Sequence, residues 1–593
     1  MHTPNMKKHK LTLLLTLLPA LTLTVFADNK VVTSGTVMES GSTYESTSSQ
    51  SALQVSGSET LYEGANLTLS GTAWTGAGAT ALIVSDQGTV DITGGNLTTT
   101  GSLSGSEGNV YGIRLNASKV ELRQITATMT TNLAGLGDHS TLIITDSELS
   151  TNGNGPVVRD SVVSLTNFNL NTRLSALTLQ TGGTALLNSG TMTVTGTGNM
   201  WGVAMQEANT RLHANAVVIN PSGARGLGVV VTGSGAYAEF TDSVINTPNI
   251  TDRYGAVTVG QSSTFAAYHT SINSSLNGIT VELGDSVVIL ENSSVTSSGS
   301  GSALDIMRSG KVTVNGGTLA TNGGQLLSIS NGAGDSKVTQ VTLNDVDTSA
   351  AGGITSITGG TATVVNVNGG SGLNGDVTNS GSGTLAVNLN GSTLTGDVIN
   401  DEDGVLVITL DHNSTGTGGY HGGDLITGSD SVWTFDKDSH GNYGENHGVW
   451  NIGDYEVIFD NMTHSGTINI SVNSDTGEGG SLNITDTADG DGTVHIDTTG
   501  NGQLNPNDVL PGIVSGDGTE HWQWDPIDWG IDTIIKDGDY FIKQGTSPAG
   551  AVLNSSVAIQ QAMWFAQQNS LLKRMGELRY GARASRPPAG ETP

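Results

Sequence analysis

Short segments in which every second residue is apolar recur along most of the chain. Residues 89–92, 119–122, 141–144 and 286–289 combine Val, Ile or Leu with alternating polar residues. An apolar period of two is typical of strands that bury one face. The pattern therefore predicts many short strands separated by turns rich in Gly, Asn and Asp.

These strands return in a fixed order. The recurring strand starts near residues 89, 119, 141, 161, 184, 211, 237, 264, 286, 311, 336 and 361. Such a repeat, made of strands alone, is typical of a solenoid. With three short strands per turn and an interior of Val, Ile and Leu, we predict an all-β, right-handed parallel β-helix over residues 28–404. A β-sandwich or β-propeller would need longer strands and regular hairpin dipeptides.

The repeat fades after about residue 400, where the composition changes. Five of the eight tryptophans lie between Trp433 and Trp529. Because the open end of a β-helix exposes its core and backbone, we predict that residues 405–545 form a C-terminal β cap. Within it Trp522, Trp524 and Trp529 are expected to cover the core. The alternative is that these rings, beside carboxylates, hold a sugar.

Helix-forming residues replace glycine in the last segment, a linker over residues 546–593. We predict one α-helix at about 555–580, which ends at Gly581 ahead of Pro587 and Pro588. Its C-terminal half has apolar residues on one face and basic residues on another.

The N-terminus has the pattern of a secretory signal over residues 1–27. Lys7, Lys8 and Lys10 precede an apolar stretch without acidic residues, and we expect cleavage between Ala27 and Asp28. Threonines and a proline interrupt that stretch, which disfavours a membrane anchor.

Composition narrows the classes of function. The chain contains no cysteine, so packing and hydrogen bonds must stabilise it after export. Its formal charge of −31 makes nucleic acid an unsuitable partner. No residue spacing indicates a cofactor or a metal site.

A short segment near the C-terminus is similar to the linker helix of Gram-negative autotransporters. It begins at Asn569 and Ser570 and continues with the residues that carry the resemblance: Leu571, Lys573, Arg574, Met575, Gly576, Glu577, Leu578 and Arg579. Autotransporter passengers also combine a signal, a β-helix and a tryptophan-containing autochaperone cap in this order. The pertactin-like adhesins are the nearest group.

The resemblance implies export through the periplasm to the cell surface, the outer membrane or the medium. It implies that the C-terminal helix contacts the outer-membrane translocation machinery and that residues 405–545 assist folding. In this family a membrane β-barrel follows the helix. Three explanations stay open here: the sequence is a fragment of a longer chain, the gene is interrupted, or the barrel is a separate polypeptide. Some relatives are cut between two asparagines, whereas here Ser570 follows Asn569.

We therefore expect a non-catalytic structural and adhesive rod that contacts glycans or proteins on host or bacterial surfaces. The alternative is a carbohydrate-active β-helix enzyme, a polysaccharide lyase or hydrolase. Such an enzyme needs clustered carboxylates with Arg or Lys, or a carboxylate pair, on one face of successive turns. The sequence spacing predicts no such stack.

Overall fold

The computed structural model describes residues 26–524 with gaps, and some residues beyond them. The gaps are 47–49, 73–79, 101–109, 223–224, 251–253, 331–336, 357–361, 402, 474–475, 477 and 500–512. After residue 524 the described residues are 527–529, 532–534, 545–546, 556–568, 570–571, 573 and 575.

The chain folds as a parallel β-solenoid of about 18 turns, which confirms the predicted β-helix class. Strands of successive turns pair in parallel and form three ladders. We call these ladders A, B and C, in the order in which the chain passes through them within a turn. Eight of the twelve predicted strand starts coincide with observed starts, and the other four lie within three residues. The chain divides into two compact units. The first unit ends at Thr195, and the second begins at Gly196.

In the first unit, ladders A and B run together in long bent strands. After the short strands Phe26–Asp28, Thr36–Ser40 and Thr43–Ser46, these are Leu61–Thr72, Thr89–Thr100, Lys119–Met129, Thr141–Thr151, Val162–Thr172 and Thr184–Val194. Ladder C consists of Lys30–Val32, Leu53–Ser56, Leu82–Ser85, Tyr111–Asn116, Asn132–Gly137, Pro156–Val158 and Leu177–Leu179.

In the second unit, Arg211–Pro221 opens ladders A and B. Ladder A continues with Tyr237–Thr241, Thr264–Tyr268, Ser286–Glu291, Gly310–Asn315, Thr339–Asn344, Ala362–Asn368, Thr384–Asn390, Val405–Asp411 and Asp424–Thr427. Ladder B continues with Val244–Thr247, Ser271–Ser274, Ser294–Ser297, Thr318–Thr321, Gly372–Asn374, Thr393–Thr395, Thr415–Thr417, Val432–Thr434, Val449–Gly453, Thr467–Asn473, Thr493–Thr499 and Gln523–Trp524.

The outer face of ladder C in the second unit contains the candidate site. Its strands are Asn199–Met205, Arg225–Val231, Val257–Val259, Ile279–Val281, Leu304–Ile306, Leu327–Ile329, Ile354–Ser356, Val377–Asn379, Val398–Asn400 and Tyr420–His421. The bent strands Ser439–Asn446, Glu456–His464 and Ser481–Gly490 then join ladders C and A, and Val514–Ser515 ends ladder C.

The interior is built from columns of stacked side chains. In the first unit Val90, Val120, Leu142 and Val163 pair in register on successive turns, and each is fully buried. Burial of each such side chain stabilises the fold by about 1.5–3 kcal/mol relative to exposure. Because strand alternation fixes which residues face inward, the columns follow directly from the period-two pattern.

A residue in the left-handed conformation forms most corners between ladders A and B, and some corners, such as His412 and Asn413, have two in succession. The φ of such a residue is positive even where it is not glycine. Examples are Asn66, Gln124, Asp146, Asn167, Ala216, Asp242, His269 and Asn292. Asn and Asp tolerate this conformation better than most residues, which accounts for their frequency at the turns.

A column of buried hydroxyls follows these corners. The Ser243 backbone N–H donates to Thr270 Oγ1 on the next turn at 3.3 Å, and the Thr270 N–H donates to Ser293 Oγ at 3.1 Å. The same arrangement joins Ser392 to Ser414 and Ser414 to Ser431, each at 3.2 Å. We call this column the hydroxyl ladder. It satisfies buried N–H groups that the corner removes from strand pairing.

The parallel ladders continue beyond residue 400, so the predicted fading of the repeat is wrong. Thr384–Asn390 pairs with Val405–Asp411, and pairing runs on to Gln523–Trp524. The turns become shorter there, since Val407 pairs with Asp424. Aromatic residues also replace the aliphatic columns, and both changes hide the spacing. The autochaperone role of residues 405–545 stays a prediction.

The structure ends in minor elements. A 3-10 helix spans Thr519–His521, and Ile527–Trp529, Asp532–Ile534 and Gly545–Thr546 form a small antiparallel sheet. Residues 556–568, 570–571, 573 and 575 are helical and exposed, within the predicted helix. Among the described residues, no helix has the length and apolar character needed to span a membrane.

The hydroxyl ladder predicts an asymmetry between neighbouring serines. Ser293 is buried and accepts the Thr270 N–H, whereas Ser294 donates to the partly exposed Ser271 hydroxyl. Ser293→Ala leaves a buried N–H unpaired and should destabilise this turn by about 1–3 kcal/mol. Hydrogen exchange over residues 264–297 should therefore accelerate at least about fivefold. Ser294→Ala is the control, and equal exchange in the two variants would contradict the role given to Ser293.

Candidate ligand-binding groove

A second apolar cluster lies outside the main core of the second unit. Leu227, Val230 and Ile250 form its buried centre. Val230 lies between the inward-facing Val229 and Val231, so it faces the outside of ladder C. The cluster forms because Ile250, which follows the strand Val244–Thr247, packs against this face.

Beside this cluster is a groove with a volume of about 320 Å³. That volume is at the small end of the range for ligand pockets, roughly 300–1,000 Å³. Its lining combines aromatic, aliphatic and polar side chains: Trp201, Gln206, Leu227, Val230, Thr232, Tyr254, Thr258, Gln261, Glu282 and Leu283.

Four turns supply the groove. Trp201 pairs in register with Leu227, and Val230 pairs with Thr258. Glu282 follows the next strand of ladder C, Ile279–Val281. The Tyr254 hydroxyl donates to Glu282 Oε1 at 3.2 Å and so joins an aromatic ring to a carboxylate across the groove. Glu282 is the one charged residue among the described residues that line the groove.

Thr258 supplies a buried polar atom to the groove. Only 2% of this residue is exposed, and its Oγ1 has no hydrogen-bond partner among the described residues. A buried hydroxyl without a partner costs about 1–3 kcal/mol. The next residue in the same column, Thr280, is also buried and unpaired but does not line the groove. Thr258 thus brings to the groove lining a buried hydroxyl that the fold itself does not use.

The first unit contains a row of acidic residues that the sequence spacing did not predict. Glu63, Asp91 and Glu121 pair in register on successive turns of ladder A. Arg123 contacts Asp91 Oδ1 at 2.7 Å and Glu121 Oε1 at 2.5 Å. The expectation of no stacked carboxylates beside a basic residue is therefore wrong. Successive turns here differ in length, so a fixed spacing does not reveal the row.

The acidic row forms an ion-pair network with Arg123 on the protein surface. Its carboxylates are partly exposed, and Asp91 and Glu121 are both engaged by the Arg123 guanidinium. Burial lowers the pKa of Arg123, but Asp91 and Glu121 outweigh it and raise that pKa. A general acid or base must instead exchange its proton with a substrate. Exposed pairs of this kind contribute about 0–1 kcal/mol.

The tryptophans predicted for the cap have different surroundings. Trp522 is 4% exposed and meets the buried His464 ring edge-on, with 4.7 Å between the ring centroids. Trp524 is half-buried on the last strand of ladder B. Trp529 lies on a short antiparallel strand, and its side chain is outside the described residues.

The aromatic core of residues 405–524 extends over several turns. Tyr420, Trp433, Trp450 and Phe459 are all fully buried, and neighbouring rings lie 5.1–6.1 Å apart. Aromatic pairs of this geometry contribute about 0.5–1.5 kcal/mol beyond their burial. Large rings therefore fill the interior of turns that are too short for more side chains.

The structure places several other predicted site residues but does not bring them together in one site. Ala27 and Asp28 lie in the strand Phe26–Asp28, which pairs with residues 43–45. Ser570, Leu571, Lys573 and Met575 are helical and exposed. The signal residues 1–25 are outside the described residues, as are Asn569, Arg574, Gly576, Glu577, Leu578 and Arg579.

Four histidines, His412, His421, His440 and His447, lie close together in the sequence among aspartates and glycines. His421 and His440 are neighbours in register, and His440 Nε2 lies 3.4 Å from Asp460 Oδ1. Within the described part of the chain, however, no three His, Asp or Glu side chains are arranged to hold one ion.

Sequence reasoning missed the groove because its parts are far apart in the chain. Trp201 is remote from the tryptophan-rich C-terminal region, and Tyr254 lies on a loop without strand periodicity. A signal available in the sequence was the interval between the strands Val244–Thr247 and Val257–Val259, which is longer than the corresponding intervals of the next three turns. An irregular interval in a solenoid indicates a loop that can fold over one face.

No protein-family model matches this chain, and no curated protein matches its sequence. The case for function therefore depends on the residues and their geometry.

His464 gives a pH-dependence that can be tested. Burial lowers its pKa to about 4, from an ordinary value near 6.5. The neutral ring is therefore required in the fold, and its contribution to stability is intact above pH 6.5 and lost as pH falls towards 4. Between pH 7 and 4.5 this should cost about 2 kcal/mol.

The measurement is urea unfolding followed by tryptophan fluorescence at both pH values. His464→Gln should remove about 2 kcal/mol of the acid-induced loss. His412→Gln is the matched control, since His412 is exposed, and it should keep the full loss. The same pH response in the parent chain and His464→Gln would show that His464 does not titrate as described.

Proposed function

We propose that this chain is a secreted autotransporter passenger that acts as a non-catalytic structural and adhesive module at the cell surface. In this proposal residues 1–27 direct export, the solenoid presents the binding surface, and residues 405–545 assist folding during translocation. The C-terminal helix contacts the outer-membrane translocation machinery. The ligands are glycans or proteins of host or bacterial surfaces.

The observation that carries the proposal is the exposed apolar helix that follows the solenoid. Its apolar side chains are 52–62% exposed at Ile559, Met563, Trp564, Phe565, Leu571 and Met575. Contiguous exposed apolar surface typically marks a contact with another protein or a membrane component. Together with the signal pattern and the resemblance at 569–579, this supports a role in passage across the outer membrane.

A carbohydrate-active enzyme is the second candidate, and the acidic row is the observation that favours it. Stacked carboxylates beside Arg123 are the residue types that such enzymes use. Against it, Arg123 engages two of the three carboxylates, and the groove in the second unit has one carboxylate, Glu282. A binding role needs neither a carboxylate pair nor a free base.

The two candidates differ in turnover. Residues 28–593 should leave a panel of pectin, hyaluronan, chitin and β-glucan intact, with no new reducing ends and no unsaturated products. Cleavage that disappears in Glu121→Gln would establish the enzyme instead. Adhesion is measured separately, as binding of beads coated with the chain to epithelial and bacterial cells. Failure of the coated beads to bind either cell type would contradict the adhesive role.

Deletion tests the proposed folding role of residues 405–545. Removal of these residues exposes the pairing edge of Thr384–Asn390, so the solenoid should lose its protease-resistant core on refolding. Removal of residues 547–593 is the control and should leave the core protected, since the described residues of that helix are exposed. An undiminished core in the first deletion would refute the role.

A further inference from the structure

We propose that the groove on ladder C of the second unit binds an uncharged pyranose residue of a glycan. Its residues are Trp201, Tyr254, Thr258 and Glu282, with Gln206 and Gln261 at the exposed rim. This inference rests on the proposed function, because it names the ligand class and the location of the adhesive surface.

The aromatic residues account for the apolar half of a sugar. One face of a pyranose ring presents C–H groups, and aromatic side chains pack against such faces. Trp201 and Tyr254 both line the groove and pack against the cluster of Leu227, Val230 and Ile250. That cluster holds the two rings in position, so binding requires little ordering of side chains.

The polar residues account for the hydroxyl groups. Thr258 Oγ1 is buried without a partner, so a sugar hydroxyl that reaches it removes a cost that the free protein carries. Glu282 accepts the Tyr254 hydroxyl and, as a carboxylate, has further lone pairs for sugar hydroxyls. The side-chain amides of Gln206 and Gln261 both donate and accept hydrogen bonds.

Charge defines the class of sugar. Among the residues that the structure describes, the lining contains one carboxylate and no cationic side chain, within a chain of formal charge −31. A sialic acid or uronic acid would bring a second negative charge beside Glu282 without a compensating cation, which disfavours binding. The volume of about 320 Å³ suits a short saccharide end rather than an extended polymer.

The test uses residues 28–593 and a printed array of neutral, sialylated and uronate-containing glycans, followed by calorimetry. Lactose, maltose and mannobiose are the neutral probes, and sialyllactose is the anionic counterpart of lactose. At least one neutral probe should bind, and the matched anionic glycan should bind at least about tenfold more weakly. Absence of binding by every neutral glycan would overturn the proposal, as would tighter binding of the anionic ones.

Conservative variants locate the site. Trp201→Leu keeps an apolar side chain but loses the aromatic face, and Thr258→Val keeps the shape but loses the hydroxyl. Each should weaken binding of the neutral probe at least about fivefold. Thr280→Val is the matched control, because Thr280 is the next buried threonine of the same column and lies outside the groove lining. It should change affinity by less than about twofold.

The outcomes separate this site from the adhesive role. Unchanged thermal unfolding and circular dichroism would show that the variants fold. Equal affinity in Trp201→Leu and the parent chain would overturn the groove as the site, even where beads still adhere to cells. If beads coated with the parent chain do not adhere to cells although the chain binds the neutral glycan, the proposed adhesive function is refuted and the sugar site is retained.

Discussion

At several corners between ladders A and B, a residue in the left-handed conformation removes the following backbone N–H from the sheet, and a hydroxyl of the next turn accepts it. Buried N–H groups without partners are rare in folded proteins because water no longer satisfies them. Here Thr270 meets the Ser243 N–H and Ser293 meets the Thr270 N–H. A sharp corner is thereby compatible with a buried interior, and strands that meet at such corners can enclose a continuous core.

Much of the fold could be predicted because its main signal is local. Alternation within segments such as Thr89–Thr100 shows which residues face inward, and strand pairing between turns then requires little further information. The registers of unequal turns are not local. Glu63, Asp91 and Glu121 align only once the turn lengths are known. The short turn that pairs Val407 with Asp424 concealed the continuing repeat in the same way.

The candidate site illustrates a stricter limit. Trp201, Tyr254 and Glu282 are far apart in sequence and come together because Ile250 and Tyr254, from the loop after Val244–Thr247, pack on the outer face of ladder C. No periodicity describes that loop, so only tertiary structure identifies the groove. Recognition by a solenoid commonly depends on such irregular segments, whereas its repeated strands provide a stable surface from which they project.

The hydroxyl ladder also has a direction. In the bonds from Ser243 to Thr270, Thr270 to Ser293, Ser392 to Ser414 and Ser414 to Ser431, the N–H of one turn donates to the hydroxyl of the following turn. When turns are added from the C-terminal end, each arriving N–H finds its acceptor already in place. When they are added from the N-terminal end, each outermost N–H must rely on water until another turn arrives. The two ends of a growing solenoid are therefore chemically unequal.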